Sequence, residues 1–469
     1  MADLIPLAAV PGHYADRSDT CLVLDHERWT WADLDAASDL WADELRSRNV
    51  KAGDLVAYTL ENGLEFFALT FGVYKLGATP APLSPKLPVA ELEDILEIMQ
   101  PRTVVRNVDP RPGSPGPPPS PPWPISPSWK ACTSGGSTGR PKVIVDHRPA
   151  AFDPGQSFIG LPRDDVVIVP GPLYHNAPFS AAILGLARGN RVVVSVRFDV
   201  ENTLCLIEQE HAAWALLVPT MMHRIWRLAA DKKARYDLSS LNRVVHTAAP
   251  MSAWLKRAWI EWLGPDRIWE VYGATEGLAR TWIGGSEWLE RPGSVGRPIG
   301  GARLAVLDDR GQVLPAGSIG EIFAMPPDGP GSTYHYIGAE RRASENGWES
   351  VGDIGWIDED GYLYLADRRS DLIISGGVNI FPAEVEAALL QHPQVLSCAA
   401  VGAPDDDLGQ RVHAVLQLQG GTLDLQSLRA FLSDRLAANK HPRSMEIRSD
   451  PVRDDAGKVR RGQLMSKAS

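Results

Sequence analysis

The stretch Ala131-Cys132-Thr133-Ser134-Gly135-Gly136-Ser137-Thr138-Gly139-Arg140-Pro141-Lys142 decides how the rest of the chain is read. Gly135, Gly136 and Gly139 let backbone N–H groups come close to a ligand, Ser134, Ser137 and Thr138 add hydroxyl donors, and Lys142 brings a cation. Together these residue types make a cradle for an anion such as a phosphate. A P-loop NTPase places its lysine directly after glycine and follows it with Ser or Thr. Here Pro141 precedes Lys142 and Val143 follows, so that spacing is not met. Taken alone, the stretch could equally be a flexible Gly/Ser linker, and its surroundings must decide.

Downstream, Val166 to Val169, Arg191 to Val196, Ala212 to Val218, Arg243 to Ala248 and Ile268 to Tyr272 are short apolar runs of buried-strand type. Helical stretches such as Asn202 to Glu210 and Ser252 to Leu263 separate them, and this alternation predicts an α/β architecture. Upstream, Trp31, Leu34, Trp41 and Leu45 recur at helical spacing, and Gly53-Asp54 turns the chain into the apolar run Leu55 to Leu60. A second helix, Leu64 to Leu76, is expected to stop at Gly77, where a C′ glycine sits, before Ala78 to Leu83 extends. Ten prolines fall between Pro110 and Pro127, which excludes a helix or a central strand and predicts an extended connector just before the glycine loop. Near Tyr362 to Asp371 the texture changes to the runs Ser397 to Val401 and His413 to Leu418, a helix from Leu425 to Leu436, and a basic tail. The expected division is therefore 1–369, a large region of layered sheets, and 370–469, a small mobile α+β unit.

With 47 basic and 58 acidic residues the net charge is −11, which argues against a nucleic-acid-coating protein. Cys21, Cys132, Cys205 and Cys398 are widely spaced with no CxxC pair, so neither a disulfide scaffold nor a structural zinc site is expected. The first residues carry no basic n-region and no apolar run reaches membrane-spanning length, which makes the cytoplasm the expected compartment.

The segment Ser134 to Lys142 resembles the phosphate-binding motif of the adenylate-forming superfamily, which includes acyl-CoA synthetases, and further motifs follow in that family's order. Pro172-Leu173-Tyr174-His175-Asn176-Ala177-Pro178 is similar to its acyl-pocket segment and Ala248-Ala249-Pro250 to its adenine-side turn. Tyr272-Gly273-Ala274-Thr275-Glu276 resembles the nucleotide and magnesium segment, followed by Gly293 to Pro298, Gly352-Asp353, Asp367-Arg368, Ser375-Gly376-Gly377 through Glu386, and Gly457-Lys458. The chain departs from the usual form at Gly135, where serine is typical, at Val143, where glycine is typical, and in the shortened segment ahead of the loop.

The resemblance implies that ATP activates a carboxylic acid to an acyl-adenylate, releasing pyrophosphate, and that CoA then takes the acyl group as a thioester. The alternatives are a carrier-protein thiol as acceptor, or a nucleotide-binding relative that has lost catalysis. It further implies that Ser134 to Gly139 with Lys142 cradle phosphates, Thr275 touches the α-phosphate and Glu276 holds Mg²⁺, while Tyr272 stacks on adenine beside Gly273, Ala274 and the Ala248-Ala249-Pro250 turn. Asp353 and Arg368 would meet the ribose, Lys458 would bridge the substrate carboxylate and α-phosphate, Ser370 would be the hinge, and Gly376 and Gly377 would line the path of the pantetheine arm. His175 and Ala274 would border the acyl pocket. Amino-acid-activating relatives carry an aspartate where this chain reads Tyr174-His175-Asn176-Ala177, so an apolar or aromatic acid without an α-amino group is expected.

Overall fold

The computed structural model describes residues 4–106, 121–134, 141–308, 310–420, 423–454 and 457–465. Gly135, Gly136, Ser137, Thr138 and Gly139, together with most of the proline tract, lie outside the described residues.

The apolar runs form the middle of a large sheet. Strands Arg191–Val194, Val166–Ile168, Trp214–Leu217, Arg243–His246 and Ile268–Gly273 lie parallel in that spatial order. They are almost wholly buried, as strands covered by helices on both faces must be. The expected runs Arg191 to Val196 and Arg243 to Ala248 each overrun their strand by two residues, and after Arg243–His246 those two, Thr247 and Ala248, line the cleft described below. Beyond Ile268–Gly273 the sheet continues antiparallel through Arg280–Gly284, Ser294–Ile299, Leu363–Arg368 and Asp353–Ile357.

Two smaller sheets pack alongside. One is parallel, Leu55–Tyr58 between Thr79–Pro82 and Thr103–Val105. The other is antiparallel, with Lys142–Asp146 between Ala131–Ser134 and Tyr334–Ile337. The glycine stop behaves as read: Gly77 has φ +67°, its N–H donates to the Tyr74 carbonyl, and the Ala78 N–H donates back to Val73, which closes helix Leu64–Lys75 in a Schellman motif.

The C-terminal residues build a separate five-stranded sheet with its own buried cluster around Ile380, Val385, Leu389, Val395, Leu416 and Leu428. The helix expected over Leu425 to Leu436 ends at Ser433. Gly376 (φ +57°) and Gly377 (φ +79°) form the two-residue tip between strands Ile373–Ser375 and Val378–Ile380. Two successive left-handed residues are what a type I′ hairpin turn demands, so the backbone itself favours glycine there. Among the described residues, no helix is long and apolar enough to cross a membrane.

Gly296 has φ +93°, and a Cβ built on it would lie 2.3 Å from the Trp282 carbonyl oxygen of the adjoining strand. Backbone cannot yield as a side-chain tip can. Gly296→Ala is therefore expected to cost about 3 kcal/mol, combining left-handed strain with overpacking. A drop of several degrees in the thermal midpoint checks this, and an unchanged midpoint would contradict it.

Candidate active site

The parallel strands end on a cleft of roughly 1990 Å³ whose walls come from residues as distant in sequence as Ser84 and Gln463. Tyr272, Gly273, Ala274, Thr275, Glu276, Ala248, Ala249, Pro250, His175, Lys142, Asp353, Arg368, Ser370 and Lys458 all line it. Gly376 and Gly377 do not line this cleft; their hairpin tip is exposed.

Ala248 ends the first turn after strand Arg243–His246 and has φ +76°, a left-handed backbone that a residue with a Cβ rarely adopts. Such strain is characteristic of binding turns. Below it, the Tyr272 hydroxyl donates to Asp353 Oδ2 at 2.7 Å, while Arg368 Nε lies 3.3 Å from Asp353 Oδ1. Burial first, and the adjacent Asp353 charge second, push the Tyr272 phenol well above its ordinary value, so it acts as a fixed donor. Asp353 and Arg368 are paired across adjacent strands, while Tyr272 reaches Asp353 from Ile268–Gly273, a non-adjacent strand of the same sheet.

At the other end, Glu276 is buried and its Oε1 accepts from the Tyr336 hydroxyl at 2.6 Å. Lys142 Nζ donates to the same hydroxyl at 2.8 Å and stands 3.5 Å from Oε1. Glu276 Oε2 makes no hydrogen bond among the described residues. One carboxylate oxygen is thus tied back and the other is left for the cleft, an arrangement that fits a magnesium ion held by a single carboxylate with phosphate oxygens. Tyr336 is a residue the motifs did not reveal. Cross-strand pairing of Tyr336 with Ile144 places it beside Lys142, across 194 residues of sequence, and the alternation Tyr334-His335-Tyr336 was its only local signal.

Lys458 reaches the cleft on the loop after Val452. The Lys458 N–H donates to Asp454 Oδ1 at 2.8 Å, the Asp454 N–H returns to the Lys458 carbonyl at 2.9 Å, and Arg453 donates to the Gly457 carbonyl at 2.9 Å. Gly457 (φ +77°) presses on helix Pro219–Trp226: a Cβ there would lie 2.9 Å from Thr220 Oγ1. The Lys458 side chain keeps accessible surface, but that surface belongs to the cleft. The surrounding walls and then the Arg368 charge lower its pKa, partly offset by Asp454 and Glu276. Arg460 to Glu91 at 2.7 Å, Arg227 to the Val395 carbonyl at 3.3 Å, and the Ala383 N–H to Asp367 Oδ2 at 2.8 Å further join the C-terminal residues to the rest.

One cleft thus brings together the Asp353 carboxylate, the buried Glu276 carboxylate and Lys458, and comparison with known proteins gives the class of protein to which the chain belongs. The AMP-binding enzyme family model matches residues 13–120 and 117–331, and the AMP-binding enzyme C-terminal domain matches residues 384–458, so the chain belongs to the AMP-binding enzyme family. The feruloyl-CoA synthase of an Amycolatopsis species is 30% identical over 471 residues, which cover 93% of each chain. The o-succinylbenzoate CoA synthetase of Bacillus subtilis, solved with its acyl-adenylate intermediate, superposes with a TM-score of 0.81 at 25% identity, covering 98% of each chain. The same synthetase in complex with ATP and a magnesium ion gives 0.81 at 26% identity, over 97% of this chain and 99% of that one.

Proposed function

We propose that this chain is an AMP-forming acid–thiol ligase: it activates a carboxylic acid with ATP and passes the acyl group to CoA. The observation that carries the proposal is the meeting, in one cleft, of Lys458 with Glu276, Asp353, Arg368 and Lys142. In-line attack of a carboxylate on a phosphate brings two anions together, and such reactions gain most from positioned cations and donors.

In this reading Asp353, fixed by Tyr272 and Arg368, accepts from the ribose hydroxyls, and the strained Ala248-Ala249-Pro250 turn and the Tyr272 ring bracket the adenine. Thr275 touches the α-phosphate, and Ser134 to Gly139 with Lys142 cradle the outer phosphates. Magnesium, held by Glu276, supplies charge neutralisation when bound. Lys458 spans the acid and the α-phosphate. We further propose a division into 1–369 and 370–469 hinged at Ser370, with the Gly376-Gly377 tip admitting the pantetheine arm once Lys458 has withdrawn. A cytoplasmic setting accords with four free thiols.

The test is pyrophosphate release across a panel of carboxylates, with and without CoA. CoA-stimulated release with at least one acid is expected. Release trapped by hydroxylamine but indifferent to CoA would move the acceptor to a carrier-protein thiol, and no release with any acid would overturn the proposal.

Tyr336 gives a narrower check. Removing its hydroxyl takes a charge-assisted hydrogen bond from Glu276, worth about 1.5–3 kcal/mol. Tyr336→Phe should therefore raise KM for magnesium-ATP roughly tenfold or more, with little change in KM for the acid. An equal rise in both would show general damage to the fold instead.

A further inference from the structure

The cleft extends past the nucleotide end into a second charged region that the reaction described above does not use. Strand Lys142–Asp146 runs between the two. Lys142, Ile144 and Asp146 share one face, since side chains alternate, and the four-residue step from Lys142 to Asp146 covers about 13 Å at 3.3 Å per residue. Lys142 stands at the Glu276 end and Asp146 at the acyl end.

Around Asp146 three cations gather. Arg148 holds it with two hydrogen bonds, Nε to Oδ1 at 3.0 Å and Nη2 to Oδ2 at 2.6 Å. Lys130 Nζ stands 3.6 Å from Asp146 Oδ2 and donates to Asn176 Oδ1. The one carboxylate is therefore already engaged twice. Arg280, the third cation, lines the same cleft, and its guanidinium makes no hydrogen bond and no ion pair among the described residues but lies over the Phe158 ring at 5.2 Å. Its placement is built into the sheet. Arg280 pairs across strands with Gly273, where a Cβ would stand 3.1 Å from Arg280 Cγ, so the missing side chain makes room for the arginine stem. Burial, and after it the Arg148 charge, holds the Arg280 guanidinium down to about 10, still a full cation at neutral pH. The Asp146 charge acts the other way, but that carboxylate is already shared with Arg148 and Lys130. A guanidinium drawn out of bulk water here therefore has no counter-charge of its own, and its planar fork matches a carboxylate.

We infer that the acid activated in this cleft carries a second carboxylate, which pairs with Arg280 while its connecting scaffold lies against Phe158. The substrate class is then a dicarboxylic acid, one carboxylate reacting and the other anchoring. This narrows the expectation of an apolar or aromatic acid: the Phe158 ring keeps an apolar wall, but the far end of the pocket is cationic. The inference rests on the proposed ligase activity.

The experiment compares matched pairs, benzoate with terephthalate, 3-phenylpropanoate with 3-(4-carboxyphenyl)propanoate, and hexanoate with adipate, in pyrophosphate release by the full chain and by Arg280→Leu. In the wild type at least one dicarboxylate should exceed its monocarboxylate partner in kcat/KM by about tenfold or more, because a site built around a charged donor rejects an analogue that lacks the acceptor. Arg280→Leu should reverse that order through KM for the acid, leaving KM for ATP in place. Monocarboxylates ahead of their partners in every pair, or an equal loss for both members in the variant, would overturn the inference. If no acid is turned over, the ligase reading fails, and the subsite is judged separately by thermal shift with the three dicarboxylates. Stabilisation of the wild type but not of Arg280→Leu would uphold it, and the same response from both proteins would overturn it.

Discussion

Lys458→Ala is expected to lose carboxylate-dependent pyrophosphate release by a factor on the order of 10²–10³, the loss typical when one charge-stabilising donor is removed from a site. The same variant should still convert supplied acyl-adenylate to thioester. The structure explains why no neighbour would compensate. Arg368 is engaged with Asp353 at 3.3 Å, and Lys142 is held between Tyr336 and Glu276. The loop that carries Lys458 is closed on itself through Asp454 and anchored by Arg453, so removing the ammonium removes the charge without loosening the backbone. Single-turnover assays of each half-reaction check this. Undiminished pyrophosphate release by Lys458→Ala would remove the lysine from its proposed role.

The opposite defect is expected from Gly376→Trp, which should abolish thioester formation and leave pyrophosphate release intact. In the arrangement seen here the Gly376-Gly377 tip stands outside the cleft, so a side chain there cannot touch the nucleotide. The tryptophan Cβ would lie 3.1 Å from the Leu408 side chain, and the side chain would project from a turn that has none of its own. A left-handed tryptophan costs about 1–2 kcal/mol, a local strain that the small domain's own core should absorb. If the tip does enter the cleft in the second half-reaction, the bulk blocks the thiol's path. Persistent CoA consumption by Gly376→Trp would show that the arm travels elsewhere. Measured together, the two variants should fail in complementary steps, which a general loss of stability cannot reproduce.

Much of this was legible in the residues themselves. The buried strands announced themselves as apolar runs because both of their faces are covered, and Gly77 announced a helix end because only glycine sits comfortably at φ +67°. Glu276, Asp353 and Lys458 were recognisable as motif residues. What could not be read was pairing across long sequence distances. Tyr336 belongs to the site only because an antiparallel register sets it beside Lys142, and Arg280 only because the residue opposite is Gly273. The run Arg243 to Ala248 was read as strand to its end, whereas Ala248 leaves the sheet in a strained turn, since apolar content alone does not distinguish a strand from a turn that must meet a ligand.

The strand Lys142–Asp146 also has a meaning for how such an enzyme can change. On the proposed reading, one segment carries a residue for the nucleotide at its start, Lys142, and one for the acid end at its close, Asp146, with Ile144 as an uncharged spacer between them. If that reading holds, selection or design can recut the end at Asp146, Arg148 and Arg280 without moving the Lys142 end. A shift of one residue in the pairing would turn both ends away from the cleft together. Substrate choice is thus free to drift on a frame that keeps the activation chemistry constant.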